Sequence, residues 1–226
     1  MQLFYQPELI NGITHLDADE SRHAIKVLRL KLGSEINLID GKGTFYTAEI
    51  TTDSFKKCEF KVTSQQKEKP QEGYRHIAIA PTKNLDRTEW FLEKAVEIGV
   101  DRVSFILCKN SERKFLKTER LVKKVISAMK QSIKATLPVI DEIIPFHRFV
   151  SQDHVQNKFI AFVDFENPMA LKNEVSGSDL VLIGPEGDFN QSEVDLALEH
   201  GFKKISLGQS RLRTETAGVA AIHILN

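Results

Sequence analysis

Strands and helices alternate along the last two thirds of the chain, and this alternation constrains the fold more than any other feature. Short apolar stretches typical of buried strands begin at residues 76, 102, 159, 179 and 203. Amphipathic stretches with helical spacing span 87–99, 117–135, 190–201 and 214–225. Because parallel strands need long crossover connections, this order predicts an α/β domain whose parallel sheet is covered by helices on both faces.

The first seventy residues have a different pattern. Three short, β-branched or aromatic stretches at 35–40, 44–50 and 58–64 predict strands. The turn at 40–43 holds two glycines, which tolerate positive φ and suit a hairpin. A helix is expected at 19–30, where Ala24, Val27 and Leu28 recur at helical spacing. Short strands with tight turns favour a small β-barrel.

A polar stretch separates these two patterns. Residues 65–75 hold Pro70 and Gly73 and have little apolar content, which is typical of a linker or an exposed loop. We therefore expect two domains, a β-barrel at 1–70 and an α/β domain at 74–226.

Composition excludes several classes of protein. The 31 basic and 31 acidic residues cancel, and 41% of residues are hydrophobic, so the chain is globular rather than disordered. Cys58 and Cys108 lie too far apart to indicate a disulfide framework or a metal site; we expect both to be buried and unreactive. The sequence has no apolar run long enough to cross a membrane, and its start does not resemble a signal peptide. These features predict a cytoplasmic protein without membrane or metal.

Positive charge is concentrated in one segment. Residues 109–134 carry nine basic side chains against Glu112 and Glu119. This distribution favours local contact with phosphate, as in a protein that binds nucleic acid. A solvated helix face would have the same composition.

Two glycine-bearing loops follow strands of the predicted sheet, and ligands of open α/β sheets bind at such strand ends. The first reads Gly184-Pro185-Glu186-Gly187, and the second includes Gly208, Arg211, Arg213 and Glu215. Each loop alone is compatible with an ordinary strand-to-helix turn. Neither carries a dinucleotide or phosphate-loop signature, and the acidic first loop is a poor partner for a phosphate anion.

Taken together, IGPEGDFNQSEVDLAL and LGQSRLRTETAGVAAIHIL resemble the C-terminal signature of the SPOUT methyltransferases. More narrowly they resemble the RsmE family, which methylates N3 of a uridine in 16S ribosomal RNA of the small subunit. Further stretches agree with that family: RHAIKVLRLKLGSEINLIDGKG, KNLDRTEWFLEKAVEIGVDRV, NSERK and KQSIKATLP. The similarity runs in order from about Arg22 to the C-terminus.

The resemblance implies an N-terminal PUA-like barrel and a C-terminal trefoil-knotted α/β domain, which is an exception to the rule against knots. It also implies a homodimer with the pocket for the methyl donor, S-adenosylmethionine, close to the subunit interface. Carried over by position, the donor-binding residues come from both loops and the helix that follows. They are Ile183, Gly184, Glu186, Gly187, Leu207, Gly208, Leu212, Arg213, Thr216 and Ala217.

The implied chemistry assigns catalytic roles to Arg213 and Glu215. Uracil N3–H is weakly acidic, so the site must help to remove that proton or stabilise the anion. Arg213 would stabilise charge on a uracil carbonyl oxygen, and Glu215 would accept the proton or orient Arg213. The alternative is a structural Arg213–Glu215 pair that caps the last helix.

RNA contacts are predicted in both domains. His23 and Arg29 lie on the helix of the barrel, Lys83 follows the first strand of the α/β domain, and Arg113 and Lys114 belong to the basic segment. A surface histidine without function is the alternative for His23. We expect Trp90 in the core rather than as a base-stacking platform.

The chain departs from the family pattern twice. Ser210 and Arg211 stand where the family has an arginine followed by an aliphatic residue, and 131–134 reads Gln-Ser-Ile-Lys where the family often has Gln-Ser-Gly-Arg.

Two other functions are compatible with the sequence. One is a non-catalytic RNA-binding factor of ribosome assembly. The other is a related SPOUT methyltransferase that acts on transfer RNA or on a ribose 2′-hydroxyl.

Overall fold

The computed structural model describes residues 2–154, 157–162 and 169–226. The chain forms two compact units. The first comprises residues 1–70 together with 126–137, and the second comprises 71–125 together with 138–226. The sequence pattern did not predict that 126–137 belongs to the first unit, because this stretch continues an amphipathic helix that begins in the second.

The first unit is built on a four-stranded sheet in the order β1-β2-β3-β4. Its strands are β1 (Leu3–Tyr5), β2 (Glu35–Ile39), β3 (Thr44–Asp53) and β4 (Cys58–Lys67). β1 and β2 are parallel, whereas the other neighbours are antiparallel.

Hydrogen bonds link the two edges of this sheet. The Leu16 amide donates to the Cys58 carbonyl on β4 (2.9 Å), and the Gln6 side chain next to β1 donates to the His15 carbonyl (2.6 Å). The sheet thus curls into a barrel-like ring around a core that includes Phe4, Leu38 and Phe60. This agrees with the barrel expected for the N-terminal region.

The helix expected at 19–30 is present in two pieces. α1 spans Ala18–Arg22, and the Asp17 carboxylate caps it by accepting from the Glu20 amide. A π-helical turn, His23–Val27, continues it. Arg29, which was expected on the helix, lies beyond its end with a positive φ of 56°.

The second unit contains a six-stranded sheet in the order β10-β8-β9-β5-β6-β7, in which every pair is parallel. Its strands are β5 (Tyr74–Ile79), β6 (Arg102–Leu107), β7 (Val139–Pro145), β8 (Asn157–Ala161), β9 (Ser178–Ile183) and β10 (Lys203–Ile205). The parallel α/β class is therefore confirmed. The strand expected at 159–165 ends as described at Ala161, and residues 163–165 lie outside the described part of the chain.

The described residues of the second unit contain four complete α-helices, α2 (Leu85–Ile98), α4 (Phe146–Val150), α5 (Gln191–Glu199) and α6 (Thr214–Leu225). A further helix, α3 (Thr118–Gln131), begins in this unit and ends within the stretch 126–137 that belongs to the first. Asn190 and Glu193 form the expected capping box at the start of α5. The sequence did not predict β7, whose apolar residues are interrupted by two acids, or the short α4.

Alternate residues of β5 face the two sides of the sheet, as the pleat requires. Ala78 packs into a core with α4 and α5. On the other side α6 packs against β5 and α2, and at Gly218 an added Cβ would lie 2.5 Å from a Phe91 ring carbon. Trp90 was expected in this core, but it is 43% exposed, so that prediction is wrong. Among the described residues, no helix is long and apolar enough to cross a membrane.

Candidate active site

The two glycine loops leave the same edge of the second unit's sheet. β9 leads into residues 184–190 (the first loop), and β10 leads into residues 206–213 (the second loop). Because β8 pairs in parallel with both strands, the two loops begin at the carboxyl edge, where open α/β sheets bind ligands.

A hydrogen bond connects the two loops. The hydroxyl of Thr214, the first residue of α6, donates to the Gly184 carbonyl (3.0 Å). The start of the last helix is thereby fixed to the end of β9. Thr214 was not among the predicted site residues, and its only sequence signal is its place directly after the second loop.

Packing within the first loop disfavours a side chain at Gly184. A Cβ at this position would lie 3.1–3.2 Å from the ring of Phe189 and from its backbone nitrogen. Phe189 is buried in the core, so its ring has little room to move. In the second loop Gly208 has open space around it but a φ of +130°, a conformation that favours glycine.

Side chains from two further loops hold the first loop in place. The Glu186 carboxylate accepts a hydrogen bond from the Lys83 amide (3.0 Å). The Asn110 amide group donates to the carbonyls of Gly187 (3.2 Å) and Asp188 (3.0 Å). The loops after β5, β6 and β9 therefore form one hydrogen-bonded assembly.

Arg113 belongs to the same assembly. Its Nε donates to the Thr82 carbonyl (3.0 Å) and its Nη2 to the Lys83 carbonyl (2.6 Å). Two of its five N–H donors are thus committed to the backbone. This bonding gives Arg113 a role in holding the loop after β6, in addition to the RNA contact predicted for it.

Two carboxylates at this edge each have one buried oxygen without a hydrogen-bond partner in the described part of the chain, Glu186 Oε2 and Glu215 Oε2. The other Glu215 oxygen faces Arg87 Nε at 3.8 Å, beyond hydrogen-bond distance. Buried acceptors without partners are unfavourable unless a bound group donates to them. The arrangement suits a ligand that carries positive charge or N–H and O–H donors.

The alternative of a structural Arg213–Glu215 pair is not found among the ion pairs of the described residues. Glu215 pairs with Arg87 instead, because it lies in the buried first turn of α6, which packs against α2. Arg213 is exposed and caps α6 through its carbonyl, which accepts from the Ala217 amide (2.8 Å), with no side-chain cap. Its guanidinium is therefore available for a substrate.

Arg211 acts electrostatically on the first loop. Burial raises the pKa of the Asp188 carboxyl, whereas the Phe189 amide and the positive charge of Arg211 act in the opposite direction. The arginine that departs from the family pattern thus remains near the donor edge.

The other residues expected at the donor pocket differ in exposure. Ile183 is buried at the end of β9. Leu207, Leu212 and Ala217 are half-buried, and Thr216 is exposed. The apolar members lie at the strand end, along the second loop and on α6.

The remaining RNA-binding candidates lie in different surroundings. His23 is half-buried in the first unit, where its Nε2 lies 3.2 Å from the Gln2 side-chain nitrogen, and Arg29 is exposed. In the second unit Lys83 is exposed and pairs with Glu112 (2.7 Å). Lys114 lines a cavity of about 790 Å³ at the carboxyl end of β6.

Cys108 also lines that cavity, but it does not suit nucleophilic chemistry. Burial raises its thiol pKa. Both cysteines are buried, as expected, and both are free thiols. Among the described residues, no group of three His, Cys, Asp or Glu side chains is placed to hold a metal ion.

Comparison with known protein families agrees with this architecture. The RNA methyltransferase domain family matches residues 67–226, and the RNA methyltransferase PUA domain family matches residues 16–63. The N-terminal match confirms the PUA-like assignment.

Individual relatives cover almost the whole chain. A probable rRNA-methyltransferase from Porphyromonas gingivalis has 45% identity and a TM-score of 0.90 over 98% of this chain and 95% of its own. The ribosomal RNA small subunit methyltransferase E from Neisseria gonorrhoeae, solved with S-adenosyl methionine, has 28% identity and a TM-score of 0.86 over the same shares. The enzyme of that name from Rickettsia conorii is 27% identical over 94% of this chain and 88% of its own length.

Proposed function

The chain belongs to the RNA methyltransferase family that includes the ribosomal RNA small subunit methyltransferases E, and we propose that it methylates N3 of a uridine in 16S ribosomal RNA with S-adenosylmethionine as donor. The proposal includes a cytoplasmic homodimer with a trefoil knot in the second unit.

The observation that carries the proposal is the pair of buried carboxylate oxygens without partners at the carboxyl edge, Glu186 Oε2 and Glu215 Oε2. A donor that combines a sulfonium, an ammonium group and hydroxyl donors would satisfy Glu186 Oε2, and the uracil N3–H would donate to Glu215 Oε2, because hydrogen bonds to a buried carboxylate offset its desolvation. When bound, it supplies a methyl group on a positively charged sulfur. The residues that would hold it are Ile183, Gly184, Glu186, Gly187, Leu207, Gly208, Leu212, Arg213, Thr216 and Ala217.

The chain's own contribution is to position the uracil and to accept its N3 proton. Arg213 is exposed beside the second loop without a side-chain cap, and it would stabilise the negative charge that develops on a uracil oxygen. Glu215 is buried and held only loosely by Arg87, so its carboxylate is available to accept the N3 proton. The other RNA contacts of the proposal are His23 and Arg29 in the first unit, with Lys83, Arg113 and Lys114 in the second.

Calorimetry with S-adenosylmethionine tests donor binding. Titration of the wild-type chain should give a heat of binding that fits one site per subunit. Glu186→Gln should weaken binding because an amide lacks the carboxylate's charge. Absence of heat, together with an unchanged melting temperature, would leave only a non-catalytic RNA-binding factor.

Transfer of radiolabelled methyl to small subunits and, in parallel, to transfer RNA from a strain that lacks the enzyme, followed by mass mapping, tests the substrate. We expect label on one uridine base of 16S RNA. Label on transfer RNA or on a ribose would refute the N3 assignment while preserving the methyltransferase activity. Arg213→Ala should lower kcat more than Arg213→Lys, because lysine keeps the charge.

A further inference from the structure

Phe115 is the most exposed large hydrophobic side chain among the described residues, at 84%. It lies in the loop between β6 and α3, which has no regular secondary structure from residue 112 to residue 117. An isolated exposed apolar residue needs no explanation by itself. The surroundings of Phe115 make it informative.

The chain just before Phe115 is held firmly. Arg113 is bonded to the carbonyls of Thr82 and Lys83, and Asn110 is bonded to the first loop. Ser111 closes a turn on Cys108, donating its amide to the Cys108 carbonyl (3.1 Å) and accepting the Cys108 amide at its hydroxyl (3.0 Å). Phe115 therefore projects two residues after an anchor that is bonded to the donor edge.

The residues next to Phe115 in the chain are predominantly basic. Lys114 precedes it and Lys117 lies two positions after it, and neither forms an ion pair within the described ranges. The nearby Glu112 forms an ion pair with Lys83 at 2.7 Å. Lysines without ion pairs just before and just after an exposed aromatic residue are complementary to a chain of phosphates that carries unstacked bases. A protein partner would favour an apolar surround with fewer charges.

We propose that Phe115 is a stacking platform for an unpaired base of the substrate RNA next to the target uridine, with Lys114 and Lys117 on the adjoining phosphates. The inference rests on the proposed function, since it takes RNA as the substrate. It adds that the RNA is single-stranded beside the target. Stacking there orients the strand at the donor edge, because the loop that carries Phe115 is bonded to residues 187–188.

The test is RNA binding measured by fluorescence anisotropy, without methyl donor, on an unmodified single-stranded 16S fragment that contains the target uridine. Phe115→Ala should weaken binding about five- to 150-fold, the range for loss of one stacked base. Phe115→Trp should retain affinity, and its added emission should be quenched when RNA binds. The matched control is Val139→Ala, which removes an exposed apolar side chain (49% exposed) at the amino edge of the same sheet and should leave affinity unchanged.

Salt dependence separates stacking from charge. Phe115→Ala should keep the wild-type slope of log affinity against log salt, whereas Lys114→Ala should reduce it by about 0.7 for a single strand. A Phe115→Ala variant that binds as the Val139→Ala control does would overturn the inference and leave the proposed function intact. A shift in sedimentation of Phe115→Ala with unchanged RNA affinity would overturn it in favour of a contact between subunits. Failure of the wild-type chain to bind the fragment would count against the proposed RNA substrate itself.

Discussion

Lowering the pH should destabilise the second unit through His76, which lies at the amino edge of the sheet. Its Nε2 is 2.7 Å from the Ser104 hydroxyl, and that hydroxyl donates to Asp141, which Arg102 holds with two bonds of 2.7 and 3.0 Å. Burial, reinforced by the charge of Arg102, lowers the pKa of His76 from 6.5 to about 3. The histidine is therefore neutral in the folded protein under all mild conditions.

The direction of the effect follows from linkage. In the unfolded chain the histidine takes up a proton near pH 6.5, whereas the folded chain cannot do so until about pH 3. The stabilisation is complete above pH 6.5 and is lost as the pH falls towards 3, by about 1.4 kcal/mol per pH unit. Between pH 7 and pH 5 this amounts to about 2 kcal/mol. Since pH 5 lies well above the pKa of His76 in the folded protein, the size of this loss depends mainly on the pKa of the histidine in the unfolded chain.

Urea unfolding followed by tryptophan fluorescence measures this loss. The single tryptophan, Trp90, lies on α2 in the same unit, so its emission reports on that unit. His76→Gln keeps an N–H donor for Ser104 but does not titrate, so the wild-type chain should lose about 2 kcal/mol more than this variant between pH 7 and pH 5.

The ring of His154 lies 6.4 Å from the ring of His76, and burial lowers the pKa of His154 too. His154→Gln is therefore measured in parallel. The pH-dependent loss of unfolding free energy that is due to His154 should remain in the His76→Gln variant. Equal losses in the wild-type chain and in His76→Gln would refute the assignment of the pH dependence to His76.

Three further changes test the carboxyl edge and its support. Thr214→Val removes the bond to the Gly184 carbonyl and should lower unfolding free energy by about 1 kcal/mol and weaken donor binding in calorimetry, whereas Thr214→Ser should behave as wild type. Gly218→Ala should destabilise by about 1–3 kcal/mol in urea titrations because its Cβ meets Phe91, and adding Phe91→Leu should recover part of the loss. Arg113→Lys loses the fork that binds two carbonyls and should increase hydrogen exchange of the backbone amides around residues 82–84; unchanged exchange would contradict the anchoring role.

The parts of the fold that follow from local chemistry were predictable from the sequence. α6 has the predicted bounds, 214–225, and the capping box at Asn190 was identifiable because its two side chains lie three positions apart. β7 was not predictable, because Asp141 and Glu142 break its apolar pattern; they are tolerated where Arg102 from β6 pairs with Asp141. That compensation comes from a neighbouring strand and has no local signal.

The candidate site divides in the same way. Glycine loops after strands identified the donor edge, since glycine and strand ends are both visible in one sequence. The partners of those loops were not visible. Glu215 faces Arg87 from α2, which is 128 positions earlier in the chain, rather than its neighbour Arg213, because helix packing decides which cation approaches a buried carboxylate.

The donor edge and the basic segment cannot be perturbed independently at every position. Asn110 and Arg113 lie in the segment expected to meet RNA, yet their side chains are bonded to the backbone of the loops after β9 and β5. A substitution at either residue therefore alters the loop that would hold the methyl donor, and a loss of RNA methylation would not identify which step failed. Lys114 and Phe115 lie beyond the last of these bonds. Changes there leave the assembly intact, so an effect of those variants on RNA binding can be assigned to contact with RNA.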